Sequence, residues 1–358
     1  MLSERYGCDG KSAMKLNKLQ EEAKKEFVSK MKSNKYKFAE YNCECGSGLE
    51  SMELLAAKDR YGLPVETRIC KKCGLVMTNP YMTQESLNSF YDNEYRKLYN
   101  GEEYEDITPY FEFQNIRGYN LWNWISSQID TSNIKNILEI GTGSGGILWA
   151  IKRMNPKVNV TGIDLGSRYI EYGKNKGINL IVSDSKSWGE KISEEEKYDL
   201  IILSQVLEHF LDLKEELDSV KRLLSPRGVL FVGVPGIMSI DKGDSDFLMF
   251  LQNAHVRHFS LGTLTQVMKK YGFSLVAGDE EVNSIFKCDM VVDSLGEKNY
   301  YPETMAYLVS LEEKKKTKSV IKRAKSKIYY MAYGNPIARK IWYGVRRRWI
   351  YKNIVEKV

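Results

Sequence analysis

Four of the six cysteines stand in two short motifs, Cys43-x-Cys45 and Cys70-x-x-Cys73, with 24 residues between them. A glycine follows the second cysteine of each motif, which suits tight turns that present both thiolates to one side. Four convergent thiolates are typical of a structural zinc site and leave no open position for catalysis on the metal. We therefore predict structural Zn²⁺ on these four cysteines, with two disulfides as the alternative.

A second chemically suggestive segment is EIGTGSGG, residues 139–146, between a short apolar run and a helical pattern. Glycines at Gly141, Gly143 and Gly145 let the backbone turn sharply and approach a ligand, and the next helix offers free N–H groups. The loop alone equally fits a nicotinamide dehydrogenase. The carboxylate of Glu139, however, suits a cationic or hydrogen-bond-donating ligand group better than a pyrophosphate.

Further polar residues stand where the next apolar runs end. Asp164 closes the run TGID, where a carboxylate can accept hydrogen bonds from both hydroxyls of a ribose. Asp184 and Ser185 follow the third run, where the edge of a base could be read. These positions predict a nucleoside-containing ligand beside the glycine loop.

The elements that position these residues alternate from about residue 134 onward. Short apolar runs are separated by helical patterns such as 145–154 and 212–224, which predicts an α/β fold with a parallel sheet covered on both faces. Residues 284–295 predict one further strand near the sheet edge. The other runs are NILEIG, VNVTGID, NLIVSD, YDLIILS, GVLFVGVP and FSLVAG.

These motifs, in this order, resemble the class I S-adenosylmethionine-dependent methyltransferases over about residues 134–295. The resemblance implies a Rossmann-like sheet of seven mostly parallel strands, with S-adenosylmethionine as the cofactor. It implies that the glycine loop holds the methionine part, that Asp164 binds ribose and that Asp184 contacts adenine. Ser204 and Gln205, after the fourth strand, would line the methionine end. The implied cofactor residues are Glu139, Gly141, Gly143, Gly145, Asp164, Asp184, Ser185, Ser204 and Gln205.

A long connection, residues 236–260, follows the fifth strand and leaves the carboxyl end of the sheet, where open α/β folds bind ligands. It carries His255 and His258, two of the three histidines. Imidazole can accept a hydroxyl proton near neutral pH, so both are candidate catalytic residues, with His258 as the general base. Alternatively, His258 only buttresses the helix beginning near Ser260, a good N-cap residue.

A second resemblance covers residues 59–99, which look like the zinc-binding region of methyltransferases from glycan and deoxysugar pathways, including sugar C-methyltransferases. In those proteins the zinc module and the following helices cover the substrate side. Residues 257–260, RHFS, match their E-H-F-S segment except that Arg257 replaces Glu. The resemblance implies a sugar nucleotide or glycan substrate. The replacement favours O-methylation over C-methylation, with Arg257 pairing with a substrate phosphate or carboxylate.

The net charge of +6 hides an asymmetry. Residues 314–358 hold 15 Lys and Arg against one acid, whereas the other 313 residues hold 38 bases and 46 acids. Tyrosines and tryptophans interleave with the basic residues, which suits an anionic membrane surface. Nucleic acid or a dimer-facing helix pair are the alternatives.

With 42% hydrophobic and 28% charged residues, the chain is expected to be globular, without a secretory signal or a membrane-spanning run. We expect a cytoplasmic enzyme, peripheral at the inner face of the membrane. An RNA or tRNA methyltransferase and a non-catalytic scaffold are the alternative functions. The expected domains are a flexible helical lead-in over 1–40, a zinc module over 41–80, a helical linker and substrate-side cover over 81–133, a cofactor domain over 134–295 and a basic helical extension over 296–358.

Overall fold

A computed structural model describes residues 1–101, 106–243, 245–291 and 298–317. The described residues form two compact units, each built from separate stretches of the chain. The cysteine unit comprises residues 1–101, 235–243, 245–267 and 298–317, and the sheet unit comprises residues 106–234 and 268–291.

The strands fall into three sheets. Their bounds are β1 Phe38–Ala39, β2 Met52–Ala56, β3 Thr67–Cys70, β4 Val76–Thr78, β5 Tyr81–Met82, β6 Asn136–Ile140, β7 Asn159–Asp164, β8 Leu180–Val182, β9 Tyr198–Ser204, β10 Leu224–Gly233, β11 Arg257–His258, β12 Phe273–Gly278 and β13 Asn283–Cys288.

The α-helices are supplemented by single turns of tighter or wider helix. The α-helices are α1 Lys18–Lys32, α2 Gln84–Phe90, α3 Arg96–Asn100, α4 Ile107–Gln128, α5 Gly146–Met154, α6 Ser167–Lys174, α7 Ser185–Gly189, α8 Leu213–Leu223, α9 Phe247–Phe250, α10 Leu261–Lys270 and α11 Tyr301–Thr317. None of the helices in the described part of the chain is both long and apolar enough to cross a bilayer.

The sheet unit contains a seven-stranded sheet in the order β12-β13-β10-β9-β6-β7-β8. The strands from β10 to β8 run parallel, and β13 is antiparallel to both of its neighbours. Leu200, Ile201, Ile202 and Leu203 in β9 are all fully buried, as expected of a strand covered on both faces. The predicted mostly parallel, Rossmann-like sheet is therefore confirmed.

The strand predicted near the sheet edge over 284–295 is present at that place, although it ends earlier, at Cys288. It forms β13, which lies second from the edge because β12 pairs with its outer side. The sequence of β13 carries no signal for this place in the strand order, which depends on its antiparallel pairing with β10.

The long aromatic helix α4 belongs to the sheet unit and packs on α5. A Cβ added at Gly118 would lie 2.7 Å from the carbonyl oxygen of Ile147, so the two helix backbones approach closely here. Phe111 and Trp122 join the core beneath the sheet together with Ile147. The helix therefore completes one face of the sheet unit.

The cysteine unit is built on a small antiparallel sheet in the order β11-β4-β3-β2. Its core contains Leu55 and Ile69 from this sheet and Leu308 from α11. In the predicted lead-in, α1 begins at a capping box on Asn17, and Phe27 is fully buried against the ring of Phe90. The helix expected here is present, but it is packed rather than free.

The unit boundaries differ from the consecutive domains expected from the sequence. Residues 235–243 and 245–267 lie in the cysteine unit, although they follow β10, because β11 pairs with β4. The stretch predicted as one linker, 81–133, is divided between the two units. Of the basic extension, the structure describes only residues 298–317, so the predictions for the remainder of the tail lie outside the described residues.

Candidate functional site

The glycine loop after β6 is shaped by positions that accept no side chain. Gly141 and Gly143 have φ angles of 71° and 54°, in the left-handed region that favours glycine. A Cβ at Gly141 would lie 2.6 Å from Val206 Cγ2, and one at Gly143 would lie 2.7 Å from Tyr110 Oη. Gly145 also has a positive φ, and α5 begins directly after it. The loop therefore presents bare backbone at the start of a helix, where a ligand can approach closely.

Glu139 lies beneath this loop and is 1% exposed. Its Oε2 accepts a hydrogen bond of 2.6 Å from Thr142 Oγ1. Burial raises the pKa of Glu139 to about 8, although the hydrogen bond from Thr142 favours the ionised form and lowers it. Asp164 raises this pKa further, and Arg117 lowers it. A carboxyl group in this state gains from a cationic ligand, which would favour its ionised form.

Asp164 and Ser204 end the strands on either side of β6. Ile140 pairs with Ile163 on β7 and with Leu203 on β9, so the two polar residues extend one step beyond the same register. Asp164 accepts hydrogen bonds from Gly143 N at 2.8 Å and Gly166 N at 2.7 Å. The structure therefore brings Glu139, Asp164, Ser204 and the glycine loop to one edge of the sheet.

Gln205 follows Ser204 in a left-handed conformation, with φ 61°, which costs a non-glycine residue roughly 1–2 kcal/mol. Its backbone N–H donates to Gly233 O at 2.6 Å, and its side-chain amide donates to the same oxygen at 3.2 Å. These bonds to the end of β10 hold the strained turn. Backbone strain of this kind is characteristic of ligand-binding positions.

Asp184 and Ser185 both have local structural partners. Asp184 caps α7 by accepting hydrogen bonds from Ser187 N at 2.8 Å and Ser187 Oγ at 2.7 Å. Ser185 is buried and donates to Glu216 Oε2 at 2.8 Å. Their predicted contact with adenine stays a prediction, and in this structure both side chains shape the turn after β8.

Sequence reasoning missed Gln114, which braces the glycine loop from α4. Its Oε1 accepts from Ser144 Oγ at 2.7 Å and its Nε2 donates to Thr142 O at 2.9 Å. Its Oε1 also accepts a longer bond of 3.4 Å from Gly146 N. One polar residue in an aromatic-rich helix pattern carries no periodic signal, because the loop it contacts lies 28 to 32 residues further along the chain.

The four predicted zinc ligands converge in the cysteine unit, and none forms a disulfide. Cys43 Sγ and Cys73 Sγ are 3.4 Å apart, and Cys45 Sγ and Cys70 Sγ are 3.6 Å apart. All four sulfurs lie within 4.8 Å of one another. Zinc with sulfur ligands at about 2.3 Å places tetrahedral sulfurs about 3.8 Å apart, so the cluster fits the ion.

Both cysteine motifs close as similar turns. Gly46 and Gly74 each have a φ of 82°, and their backbone N–H groups donate to Cys43 O at 2.7 Å and to Cys70 O at 2.9 Å. The first motif, although one residue shorter, therefore presents its thiolates as the second one does. The alternative of two disulfides does not fit four free thiols that converge on one point.

Arg257 lies within the cysteine unit and binds Glu44, the residue between the first two cysteines. Arg257 Nε donates to Glu44 Oε1 at 2.9 Å, and one terminal nitrogen donates to the same oxygen at 2.5 Å. Each of the two side chains is 6% exposed. The predicted pairing of Arg257 with a substrate anion is therefore replaced by an internal ion pair that sequence reasoning did not anticipate.

His258 is 2% exposed, and neither of its ring nitrogens has a hydrogen-bond partner among the described residues. Its ring lies 5.7 Å from the ring of His255 and 5.4 Å from that of Phe250, between centroids. Burial lowers the pKa of His258 to about 3, so the imidazole is neutral at physiological pH. A buried ring with two unused polar atoms is costly unless a ligand or water satisfies them.

His255 is held by a chain of polar contacts in the same unit. An Arg60 terminal nitrogen donates to Gln252 Oε1 at 2.5 Å, and Gln252 Nε2 contacts His255 Nε2 at 2.8 Å. Because arginine only donates, the amide oxygen of Gln252 must face Arg60 and its NH₂ must donate to His255. His255 Nε2 is then the acceptor nitrogen, and the ring proton of the neutral form sits on Nδ1.

The order of the seven strands and the bare glycine loop at the carboxyl end of β6 define a Rossmann-like methyltransferase fold. Residues 102–277 match a protein-family model described as a methyltransferase domain. The protein is an S-adenosylmethionine-dependent methyltransferase, which decides against the dehydrogenase that the glycine loop alone permits.

Relatives with known activities are methyltransferases of varied chemistry. A malonyl-(acyl-carrier protein) O-methyltransferase of Priestia megaterium is 26% identical over 57% of this chain and 74% of its own length. The C-methyltransferase NovU of Streptomyces niveus is 26% identical over 39% of this chain but only 33% of its own. A ubiquinone biosynthesis O-methyltransferase of Bartonella tribocorum is 26% identical over 40% and 64%.

Solved structures that the chain matches include the plantazolicin methyltransferase BpumL in complex with SAH. It is 18% identical, covers 66% of this chain and 86% of its own, and has a TM-score of 0.37. A SAM-dependent methyltransferase from Archaeoglobus fulgidus is 17% identical, covers 51% and 74%, and has a TM-score of 0.38.

Proposed function

We propose that this methyltransferase methylates a hydroxyl group of a sugar nucleotide or glycan intermediate, with His258 as the general base. The observation that carries the proposal is the neutral, buried imidazole of His258, whose two nitrogens lack partners among the described residues. The O-methyltransferases among the relatives support transfer to oxygen. The resemblance of residues 59–99 to zinc regions of sugar methyltransferases supports the substrate class.

The sheet unit would hold the cofactor, which when bound supplies an electrophilic methyl group on a positively charged sulfonium. Glu139 would favour the positive charge of the methionine part, and the backbone of the glycine loop would approach it closely. Asp164, at the end of β7, would accept hydrogen bonds from the ribose hydroxyls. Ser204 and the strained Gln205 would border the methionine end, and Asp184 and Ser185 the adenine.

His258 would accept the proton of the attacking hydroxyl as the new carbon–oxygen bond forms. The neutral imidazole has a free lone pair at pH 7, but burial disfavours its protonated form. Proton uptake by His258 becomes favourable when the positive charge of the sulfonium is lost in the transfer and the sugar substrate supplies a hydrogen-bond partner for the ring. His255 would donate a hydrogen bond from Nδ1 to a second oxygen of the sugar substrate and so orient it.

The cysteine cluster would hold one structural zinc ion. With four thiolate ligands the ion has no open position for substrate, so its contribution is to the folding of the cysteine unit. Metal analysis of the purified protein should give one zinc per chain. Replacement of Cys70 by serine should lower both the zinc content and the melting temperature, while a melting temperature unchanged by chelation would contradict the assignment.

The test of the function uses the full chain with S-adenosylmethionine carrying a ¹³C-methyl group and a panel of nucleotide-activated sugars. Transfer should appear in NMR spectra as a methyl group bonded to oxygen. A methyl group bonded to carbon would favour C-methylation, the second candidate, which is supported by the relative NovU. Transfer to RNA alone would overturn the sugar assignment.

Two variants separate the proposed roles. His258→Asn should slow transfer by about 10²-fold or more with cofactor affinity unchanged, because only proton removal is lost. Asp164→Ala should instead weaken cofactor binding in calorimetry. Full activity of His258→Asn would refute the base assignment, and unchanged binding by Asp164→Ala would refute the cofactor site.

A further inference from the structure

The cysteine cluster and the strand that carries His258 share one buried ion pair. We propose that Glu44 and Arg257 are positioning residues that make the placement of His258 depend on metal in the cluster. This deepens the proposed function and rests on it, since it takes His258 as the base and the cluster as a zinc site. The pair would act through the backbone of β11 and not on the acceptor itself.

The side chains give the first connection between the cluster and β11. Glu44 is flanked by Cys43 and Cys45, and the turn is closed by bonds from Cys43 N to Ser47 O at 2.8 Å and from Gly46 N to Cys43 O at 2.7 Å. Glu44 Oε1 accepts two hydrogen bonds from Arg257, which is 213 residues away in the chain and directly precedes His258. A shift of this turn would move the carboxylate that holds Arg257.

The backbone gives the second connection. Arg257 pairs with Met77 and His258 with Val76, only three residues after Cys73. Within the second motif, Cys70 N donates to Leu75 O at 2.9 Å, and Leu75 directly precedes β4, the strand with which β11 pairs. The strand β11 is two residues long, and Val256 O before it also accepts a hydrogen bond from Thr78 N at 2.9 Å, so this segment is paired with the strand that follows the second cysteine motif.

Charge explains why the ion pair would respond to the metal. Four thiolates around one zinc ion carry net negative charge, and Glu44 adds another negative charge in the same turn. The buried Arg257 guanidinium offsets these charges in a site where a lone cation is poorly solvated. When the turn opens on loss of metal, Glu44 departs and Arg257 loses this ion pair.

The first test compares amide hydrogen exchange in the zinc-loaded and chelated full-length protein. Chelation should speed exchange of peptides from residues 253–260 by about tenfold or more, as expected for a segment released from its pairing. Peptides from α5 in the sheet unit should not change. Equal protection of residues 253–260 with and without zinc would overturn the proposal.

The second test separates the ion pair from the metal itself. Arg257→Met, kept in excess zinc, should bind one zinc per chain and still show the fast exchange of the chelated wild type over residues 253–260. Glu44→Gln is nearly isosteric, so it carries the test if Arg257→Met fails to fold, and it should change exchange in the same direction. Wild-type protection in the folded variants would refute the role of the pair.

A matched control removes a comparable ion pair elsewhere in the same unit. Lys30 on α1 pairs with the fully buried carboxylate of Glu94. Lys30→Met should lower stability without changing zinc content or exchange of residues 253–260, and an equal loss of protection would mean that the effect is general destabilisation. These readouts need no acceptor, so a failed transfer assay refutes the proposed function without deciding the coupling.

Discussion

Gln114→Leu tests whether α4 holds the cofactor loop in shape. The change removes two well-formed hydrogen bonds to the loop, from Ser144 Oγ at 2.7 Å and to Thr142 O at 2.9 Å, a longer one from Gly146 N, and one to Tyr110 Oη on the same helix at 3.2 Å. It keeps a side chain of similar volume in a position that is only 6% exposed. The loss is therefore of polar contacts and not of packing.

The magnitude follows from the number of bonds. Each neutral hydrogen bond contributes about 1 kcal/mol net, and a buried polar group left without a partner costs about 1–3 kcal/mol. The loop should then lose roughly 2–3 kcal/mol of preference for its ordered form, which corresponds to about 30- to 150-fold weaker cofactor binding if free ligand must restore that order.

Calorimetric titration of S-adenosylmethionine into the wild type and the variant measures this difference directly. The control is Gln128→Leu at the end of the same helix, where the exposed amide donates to the neighbouring Ser127 Oγ at 3.0 Å. The control should bind as the wild type does. A folded Gln114→Leu variant with less than about a twofold change in affinity would refute the role of α4.

Three further predictions concern charge, turn geometry and the tail. Because the pKa of Glu139 rises from about 4.5 to about 8 on folding, stability without cofactor should fall as the pH rises through this window, and Glu139→Gln should flatten that fall in thermal unfolding. Both Gly46→Ala and Gly74→Ala strain a turn with φ 82°, but only a Cβ at position 74 overlaps neighbouring backbone, so Gly74→Ala should release zinc more readily in a chelator competition. Truncation after Thr317, which spares the ion pair of Lys315, should reduce partitioning onto anionic vesicles and leave cofactor affinity unchanged, whereas an equal loss of both would show that the tail supports the fold.

Local patterns in the sequence were sufficient for the features that depend on neighbouring residues. The glycine loop could be located because its positive φ angles need glycine whatever surrounds it, and a strand and a helix flank it within a few residues. Short apolar runs that alternate with helical patterns predicted the parallel sheet, because a strand covered on both faces needs apolar side chains on both faces. The spacing of the four cysteines predicted a common cluster because each motif closes its turn through its own backbone hydrogen bonds.

Tertiary structure alone decided which distant segments meet. The connection after β10 joins the cysteine unit because β11 pairs with β4, and no periodicity in a two-residue strand announces its partner. Arg257 was expected to contact substrate, yet it binds Glu44, because a buried cation is costly unless a carboxylate pairs with it, and that carboxylate can be distant in the sequence. Gln114 could not be identified from the sequence either, since its role depends on contact with the glycine loop, which only the folded structure brings next to it. Sequence specifies local shape through short-range sterics and hydrophobic period, whereas partners far apart in the chain are selected by burial and charge compensation in the folded molecule.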